Sequence, residues 1–326
     1  MTEYLHEMPA ETPLAYGLHP NAEIGFKLRE AEAFCASLIL MQPRDSGGEG
    51  GLSTEEKARL VLEDIVERLP EAYDMEDVRS RVEESPPPPY TMVAIQESER
   101  MNILTAEMKR SLAELDLGLR GDLTMTEPME RLMHALANDV VPASWRNLAY
   151  PSLRPLPSWL HNVQQRVSQL NDWTADLGVP KVVWLSGLFN PQSFLTAVMQ
   201  TTARRNDWPL DKTVIVTEVT KKAPDAVEAP SREGAFIHGL TLEGARWDEK
   251  GGMLDDSKPK ELFCAMPVIL VRAVTVDKAE MKDAYQCPVY CTEARFREEI
   301  FTAQIKSKAS WIKWTLAGVC MFLDVV

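Results

Sequence analysis

The sequence predicts an α+β protein in which an N-terminal helical lid and a helical half are followed by a C-terminal antiparallel β-barrel or sandwich. Through most of the first 205 residues, apolar side chains recur every three or four positions, the period of a helix packed on a core. After residue 208 the sequence becomes short β-branched and aromatic runs separated by Gly, Pro and charged turns. A proline run at 86–89 separates the first helices from the rest.

These observations divide the protein into a lid at residues 1–85, a helical part at 86–205 and a β-rich part at 206–326. Within the lid, residues 1–20 and the polar stretch at 43–53 are typical of loops, and a helix is expected at 21–40. Ser53 and Glu56 form a capping box before a second helix, which ends at Pro70, and a shorter helix follows at 75–84. The apolar positions assigned to the first two helices are Ile24, Leu28, Ala31, Cys35, Leu60, Ile65 and Leu69.

Three helices are predicted in the helical part before residue 180. The first, at 91–119, carries one apolar stripe and ends at Gly121. The second runs over 127–139 with Pro128 in its first turn, and the third over 158–177, before Gly178 and Pro180. The stripe of the first helix consists of Met101, Leu104, Met108, Leu112, Leu115 and Leu119. Such a stripe indicates a face packed on a core.

The stretch VVWLSGLFNPQSFLTAVMQ, residues 182–200, has the order of a phosphate-binding or nucleophile-bearing turn: an apolar run, a glycine and a helix start. It lacks the lysine of a phosphate loop, and the glycines that would flank a nucleophilic Ser186 are absent. Asn190 and Pro191 are good N-cap and first-turn residues. We therefore interpret the stretch as a structural hinge that bends at Ser186 and Gly187.

Other chemical motifs are also missing from the sequence. No G-x-x-x-x-G-K-[ST] or G-x-G-x-x-G pattern occurs, and the five histidines are isolated. Cys287 and Cys291 form a C-x3-C pair without a second pair or a nearby histidine, so incidental, reduced thiols are expected. We predict no catalytic, cofactor-binding or metal-binding residues in this protein.

Charge and hydropathy exclude two classes of partner. The net charge of −14 disfavours nucleic acid and anionic membranes, which clustered Lys and Arg would attract. No apolar run reaches the roughly 18 residues that a membrane-spanning helix needs. The final apolar residues, 311–326, are interrupted by Lys313 and are expected to form core strands.

Five motifs carry a resemblance to a known family. They are YGLHPNAEI at 16–24, SWRNLAYPSLRPLPSWL at 144–160, WLSGLFNPQSFLTAVMQTTARRNDWPLD at 184–211, GLTLEGARWD at 239–248 and CPVY at 287–290. In this order they resemble the C-terminal end of dynein heavy chains, from near residue 14 to the end. FNPQSFLTAVMQ and EVTKK resemble the axonemal group, and its outer-arm members most; LRP at 153–155 stands where the family commonly has LKP.

The resemblance implies that residues 1–85 are the lid of the sixth AAA+ module and that the rest is the dynein C-terminal domain. It implies a parent motor that is driven by ATP, moves towards microtubule minus ends and powers ciliary or flagellar beating. ATP and Mg²⁺ would bind elsewhere in the parent, as would microtubules and the intermediate and light chains. This piece would pack on the AAA+ ring, without cofactor, in the cytoskeleton of an axoneme.

Two other interpretations remain open from the residues alone. The protein could be a free-standing enzyme whose site is assembled only in space, or a scaffold that binds partners through SPPPPY at 85–90. A further expectation follows from the resemblance: separated from the ring, this piece exposes an enlarged apolar patch and self-associates.

Overall fold

The computed structural model describes residue 13 and residues 18–41, 52–82, 87–279, 283–295 and 299–325. Its helices are α1 Pro20–Met41, α2 Thr54–Arg68, α3 Met75–Ser80, α4 Pro89–Arg120, α5 Glu127–Ala137, α6 Ala143–Leu148, α7 Leu156–Asp176, α8 Pro191–Asn206 and α9 Trp311–Leu316. The loops expected at 1–20 and 43–53 lie almost entirely outside these residues, as do Ser85 and Pro86 of the proline run.

The stripe on α4 is buried as expected. Met101, Leu104, Met108, Leu112 and Leu115 are each at most 1% exposed. Together with apolar residues of α2, α5 and α7 they form one cluster, the helical core. Gly121 ends α4 with φ +84°, a conformation that a glycine adopts without a steric penalty.

The capping box before α2 is confirmed, but the burial expected for one apolar residue of α2 is not. The Ser53 hydroxyl accepts from Glu56 N, and the Glu56 carboxylate accepts from Ser53 N. Ala58, Leu62 and Ile65 face the helical core, whereas Leu60 is 55% exposed. The period through Ala58, Leu62 and Ile65 fits α2 better than the one through Leu60, which lies on the far side of the helix.

Helix α1 is joined to the β-rich part through its first turn. The Asn21 amide donates to the carbonyls of Lys258 and Glu261, both at 2.8 Å, and its oxygen accepts from Lys260 N at 2.7 Å. Leu28, assigned to a packed face from its spacing, is 49% exposed. The sequence spacing therefore identified the helix correctly but not the burial of its stripe.

Three sheets make up the β-rich part. Its strands are β1 Val183–Trp184, β2 Thr213–Val219, β3 Ala235–His238, β4 Thr241–Glu243, β5 Ala245–Asp248, β6 Met253–Asp256, β7 Phe263–Ala265, β8 Ile269–Thr275, β9 Ala284–Thr292, β10 Phe301–Lys306 and β11 Cys320–Asp324. One sheet has the order β1-β3-β8-β2, the second β10-β9-β11-β4-β7, and the third pairs β5 with β6. Apolar residues from all three sheets, from α8 and from the start of α4 share one cluster, the mixed core.

The α+β class is confirmed, but the predicted barrel is not formed, because the sheets are open. At the seam where β2 meets β10, hydrogen bonds between side chains and backbone replace the backbone hydrogen bonds of a continuous sheet. Gln304 N donates to Thr217 Oγ1 at 2.6 Å, and Thr217 N donates to Gln304 Oε1 at 3.0 Å. The expected antiparallel pairing also fails twice, since β1 with β3 and β9 with β11 run parallel.

The final segment is half helix, which corrects the expectation of core strands throughout. Residues 311–316 form α9, whose first turn is capped by the Ser310 hydroxyl accepting from Ile312 N. Only Cys320–Asp324 form a strand, β11, which is buried along its whole length. Ser310 is a good N-cap residue, and it favours a helix more strongly than the β-branched residues after it favour a strand.

Candidate functional site: the junction between the two cores

The stretch at 182–200 folds as the sequence predicted. Strand β1 leads into a tight turn, Leu185–Gly187, and then into α8. The Asn190 side chain accepts from Ser193 N at 3.3 Å, and Pro191 occupies the first helical position. This corner lies beside α4 and α7, the two helices that contribute to both cores.

Ser186 holds two backbone segments together. Its hydroxyl donates to the carbonyl of Gly239 at 2.5 Å, and the residue is only 6% exposed. A backbone carbonyl does not remove a proton, so this contact does not activate the hydroxyl as a nucleophile. The role of Ser186 here is to fix the turn against the loop between β3 and β4.

The Trp184 indole packs against two glycines, and a glutamine side chain binds the Trp184 backbone. A Cβ placed on Gly187 would lie 2.4 Å from the Trp184 indole, and one on Gly239 would lie 2.3 Å from it. The side-chain amide of Gln169 makes two hydrogen bonds to the backbone of Trp184. It accepts from the N–H at 2.7 Å and donates to the carbonyl at 3.1 Å. Only glycine at both positions leaves room for the ring.

Glu97 is a buried carboxylate that anchors the corner to α4. It is 2% exposed and accepts from the backbone N–H of Phe189 at 2.5 Å and of Asn190 at 2.9 Å. Burial raises the pKa of Glu97, and the two amide donors act in the opposite direction. Both oxygens are engaged by amides, so the carboxylate serves as an anchor for the loop that precedes α8.

Arg166 lies near Glu97, fully buried on α7. Its Nε donates to Asn162 Oδ1 at 2.8 Å and its Nη1 to the carbonyl of Leu188 at 3.2 Å. The guanidinium carbon lies 3.1 Å from the centroid of the Tyr150 ring, a stacked cation–π contact. Burial lowers the pKa of Arg166, while the charges of Asp324 and Glu97 oppose the shift.

The C-terminal strand is fixed to the same place by a second ionic group. Arg154 Nε donates to Asp324 Oδ1 at 2.8 Å, and Ser152 Oγ donates to Asp324 Oδ2 at 2.7 Å. Arg154 Nη2 reaches the carbonyl of Val325 at 2.9 Å. The loop before α7 therefore holds the end of β11.

A cleft of about 350 Å³ opens beside this group, between residues 146–153 and the end of β9. Two arginines line it, and both are already engaged. Arg295 pairs with Glu243, and Arg146 donates to the carbonyl of Val141 at 2.9 Å. The cleft thus presents no unengaged arginine to an anionic ligand.

Sequence reasoning missed the charged members of the junction, although a signal was present. Glu97 falls in the stripe of α4, between Ala94 and Met101 at helical spacing. Arg166 falls likewise among the buried residues of α7, between Val163 and Leu170. A charge at a stripe position is costly unless it is paired, so each marked a buried polar contact.

The described residues contain no group of three or more His, Cys, Asp and Glu close enough to hold a metal ion. Within the same residues no helix combines the length and the hydropathy needed to cross a bilayer. The junction joins backbone to backbone through charged and amide side chains. The fold is therefore an α+β domain in which buried charged side chains join the helical core to the mixed core.

Comparison with known proteins then assigns the family. The family model for the C-terminal domain of dynein heavy chains matches residues 28–323, and the protein belongs to this family. It is 76% identical to the dynein beta chain of the flagellar outer arm from Chlamydomonas reinhardtii, over 99% of the present sequence and 7% of that protein. It is 50% identical to a ciliary dynein beta chain from Tripneustes gratilla and 48% identical to human dynein axonemal heavy chain 17, with the same coverage. The sequence spans about 7% of the length of these relatives.

Proposed function

We propose that this protein is the C-terminal region of an axonemal dynein heavy chain, which braces the AAA+ ring and modulates an ATP-driven, minus-end-directed microtubule motor. The observation that carries the proposal is the 76% identity, over nearly the whole sequence, to a flagellar outer-arm dynein. The other relatives are named ciliary or axonemal. The protein then works in the axoneme of a cilium or flagellum.

The part played by this region is structural. Glu97, Arg166 and Asp324 bind amides, carbonyls or a neighbouring ionic side chain. We propose that the region binds no ATP, metal or other cofactor, and that nucleotide, microtubules and the intermediate and light chains bind elsewhere in the parent. Its partner is the AAA+ ring of the same polypeptide; nucleic acid and membranes are not partners of a protein with a net charge of −14.

The alternative of a scaffold that binds through the proline run gains no support from α4. Pro88 is the N-cap residue of this helix and Pro89 its first residue, a position where the missing N–H of proline costs nothing. These two prolines therefore have a role within the fold.

Calorimetric titration of this protein with Mg-ATP tests the absence of a nucleotide site. We expect no saturable heat, with a nucleotide-binding parent motor as the positive control. Saturable binding at one site per molecule would show that the region carries nucleotide chemistry, and it would revive the alternative of an enzyme.

A further inference from the structure

Two consecutive residues before α8 pack into different cores. Leu188 is 2% exposed and belongs to the mixed core, whereas the Phe189 side chain packs against the helical core. Helix α8 begins directly afterwards, with Asn190 as its N-cap residue. The backbone at 188–190 is therefore one of the joints between the two cores, and it sets where α8 starts.

Two buried side chains of opposite charge, from two different helices, hold this joint. Glu97 of α4 accepts from the N–H of Phe189 at 2.5 Å and from that of Asn190 at 2.9 Å. Arg166 of α7 donates to the carbonyl of Leu188 at 3.2 Å. Both charged residues are 2% exposed. Three successive residues of the joint are thus bound by one carboxylate and one guanidinium.

The surroundings of Glu97 supply hydrogen-bond donors and positive charge. Each of its oxygens accepts from a backbone amide, and the charged groups that act on it are Arg166 of α7 and Arg100 of its own helix. Among the described residues, none accepts a hydrogen bond from the Glu97 side chain. A proton on either oxygen would weaken that oxygen as an acceptor and would find no acceptor for itself. The carboxyl group therefore holds the joint fully only while it is ionised.

We propose that Glu97 and Arg166 form a proton-operated latch on residues 188–190, which is closed while Glu97 is ionised and is released when Glu97 takes up a proton. Release frees an amide at the start of α8 and loosens this joint between the cores. Arg166 retains the charge of Asp324 beside it, so the contact between α7 and the end of β11 survives the release. The latch is a property of this domain alone and goes beyond the proposed function.

The titration of Glu97 supports this latch. Burial raises the pKa of Glu97, and the two amides and the charges of Arg166 and Arg100 oppose the shift. Release therefore begins above the ordinary pKa of a glutamate, about 4.3. The proton removes the cost of burying the charge, while the joint loses an amide bond. The domain as a whole thus stays folded while the joint opens locally.

Hydrogen exchange at single amides tests the latch. Exchange of the Phe189 and Asn190 amides is followed by NMR from about pH 8 to about pH 4.5, and each rate is divided by the intrinsic rate at that pH. We expect the protection of these two amides to fall at least about tenfold in one transition. Amides in the middle of α8 should keep their protection.

Glu97→Gln removes the titrating group and keeps the size of the side chain. Its amide has one oxygen to accept with, and its NH₂ group faces an N–H that also donates, so the latch stays released. We expect the two amides of this variant to show, at every pH, the low protection of the acidified wild type.

Glu114→Gln is the matched control. It neutralises a carboxylate on the same helix that is 46% exposed and pairs with Arg110, and it should leave the wild-type transition unchanged.

Three results would overturn the latch. They are constant protection of both amides across the pH range in the wild type, a transition that persists in Glu97→Gln, and a loss of protection that spreads equally over α4 and α8. The wild-type measurement needs no substitution, so the latch can be refuted even if Glu97→Gln does not fold. Its failure would leave the proposed function as it stands, because that function does not depend on the protonation of Glu97.

Discussion

Arg154 and Asp324 are separated by 170 residues in the sequence and are joined by a 2.8 Å hydrogen bond between Nε and Oδ1. The same guanidinium also binds the carbonyl of Val325. The pair is largely shielded from water, with side-chain exposures of 29% for Arg154 and 8% for Asp324. It connects the loop before α7 to the last strand of the mixed core.

Replacing Arg154 should destabilise the protein. Arg154→Ala leaves a buried Asp324 with Ser152 as its remaining side-chain partner, and we expect a loss of about 2 kcal/mol in the free energy of unfolding. Arg154→Lys should cost about half as much, because a single ammonium does not reproduce the two divergent bonds of the guanidinium. Urea titration measures both losses.

The control for this prediction is an exposed ion pair. Arg68 and Asp64 lie one turn apart on α2 with side-chain exposures of 63% and 45%, so Arg68→Ala should change the stability by less than about 0.5 kcal/mol. Equal losses for Arg154→Ala and Arg68→Ala would show that burial of the Arg154 pair contributes nothing.

Gly239→Ala should be strongly destabilising, by about 3 kcal/mol. Gly239 has φ +89°, and a Cβ would overlap the Trp184 indole and approach Ser186 Oγ to 2.8 Å. Gly121→Ala measures the cost of the positive φ without a steric overlap, because Gly121 has φ +84° with no atom within 4 Å of the added Cβ. It should cost about 1 kcal/mol from backbone strain alone. Similar losses of stability for Gly239→Ala and Gly121→Ala would mean that the Trp184 indole moves away from the added Cβ at little energetic cost.

Acidification should destabilise the protein through His238. Burial lowers the pKa of His238, with Asp225 opposing the shift, so the unfolded state binds the proton more tightly than the folded one. Stability is therefore lost as the pH falls through the ordinary histidine value of about 6.5, and the loss levels off below the folded pKa. Urea midpoints measured across this range should fall less steeply for His238→Gln. Parallel curves would contradict the assignment.

A second titrating group makes that comparison between variants necessary. Burial raises the pKa of Glu97, so its contribution has the opposite sign and stability is gained as the pH falls through its folded pKa. The difference between the wild-type and His238→Gln curves cancels the contribution of Glu97.

The cysteines should differ sharply in alkylation rate at about pH 8. Cys35 is exposed on α1 and should react first. Cys287 and Cys320 are buried, and burial raises the pKa of Cys287 well above its ordinary value and that of Cys320 to about 12. Mass spectrometry of iodoacetamide-treated protein should show the Cys35 adduct long before the other two, and all five adducts after unfolding. Early labelling of Cys287 would indicate local opening of β9.

The long helices could be predicted from the sequence because local signals determine them, whereas the short helices α6 and α9 were not predicted. The stripe of α4, the Ser53 cap and the Asn190 start all match the structure. The end of α7 expected at residue 177 also agrees with the structure, in which Leu177 caps the helix in the left-handed conformation with φ of 56°.

The pairing of strands and the junction depend on distant contacts, which periodicity does not encode. The seam between Thr217 and Gln304 spans 87 residues, and the Glu97 contact to Asn190 spans 93. A short β-rich pattern is common to closed barrels and open sheets, so the barrel did not follow from it. The boundaries of the lid at residue 85 and of the β-rich part at residue 206 remain predictions.

The central claim, that this region shapes motor output without binding nucleotide, is tested most directly by gliding assays on an intact heavy chain. Wild type, Arg154→Ala and Arg68→Ala are compared for microtubule velocity and for ATP bound per motor. We predict that Arg154→Ala changes velocity while the ATP bound stays constant, and that Arg68→Ala changes neither. Unchanged velocity in an Arg154→Ala motor of demonstrably lower stability, or a loss of bound ATP, would contradict the claim.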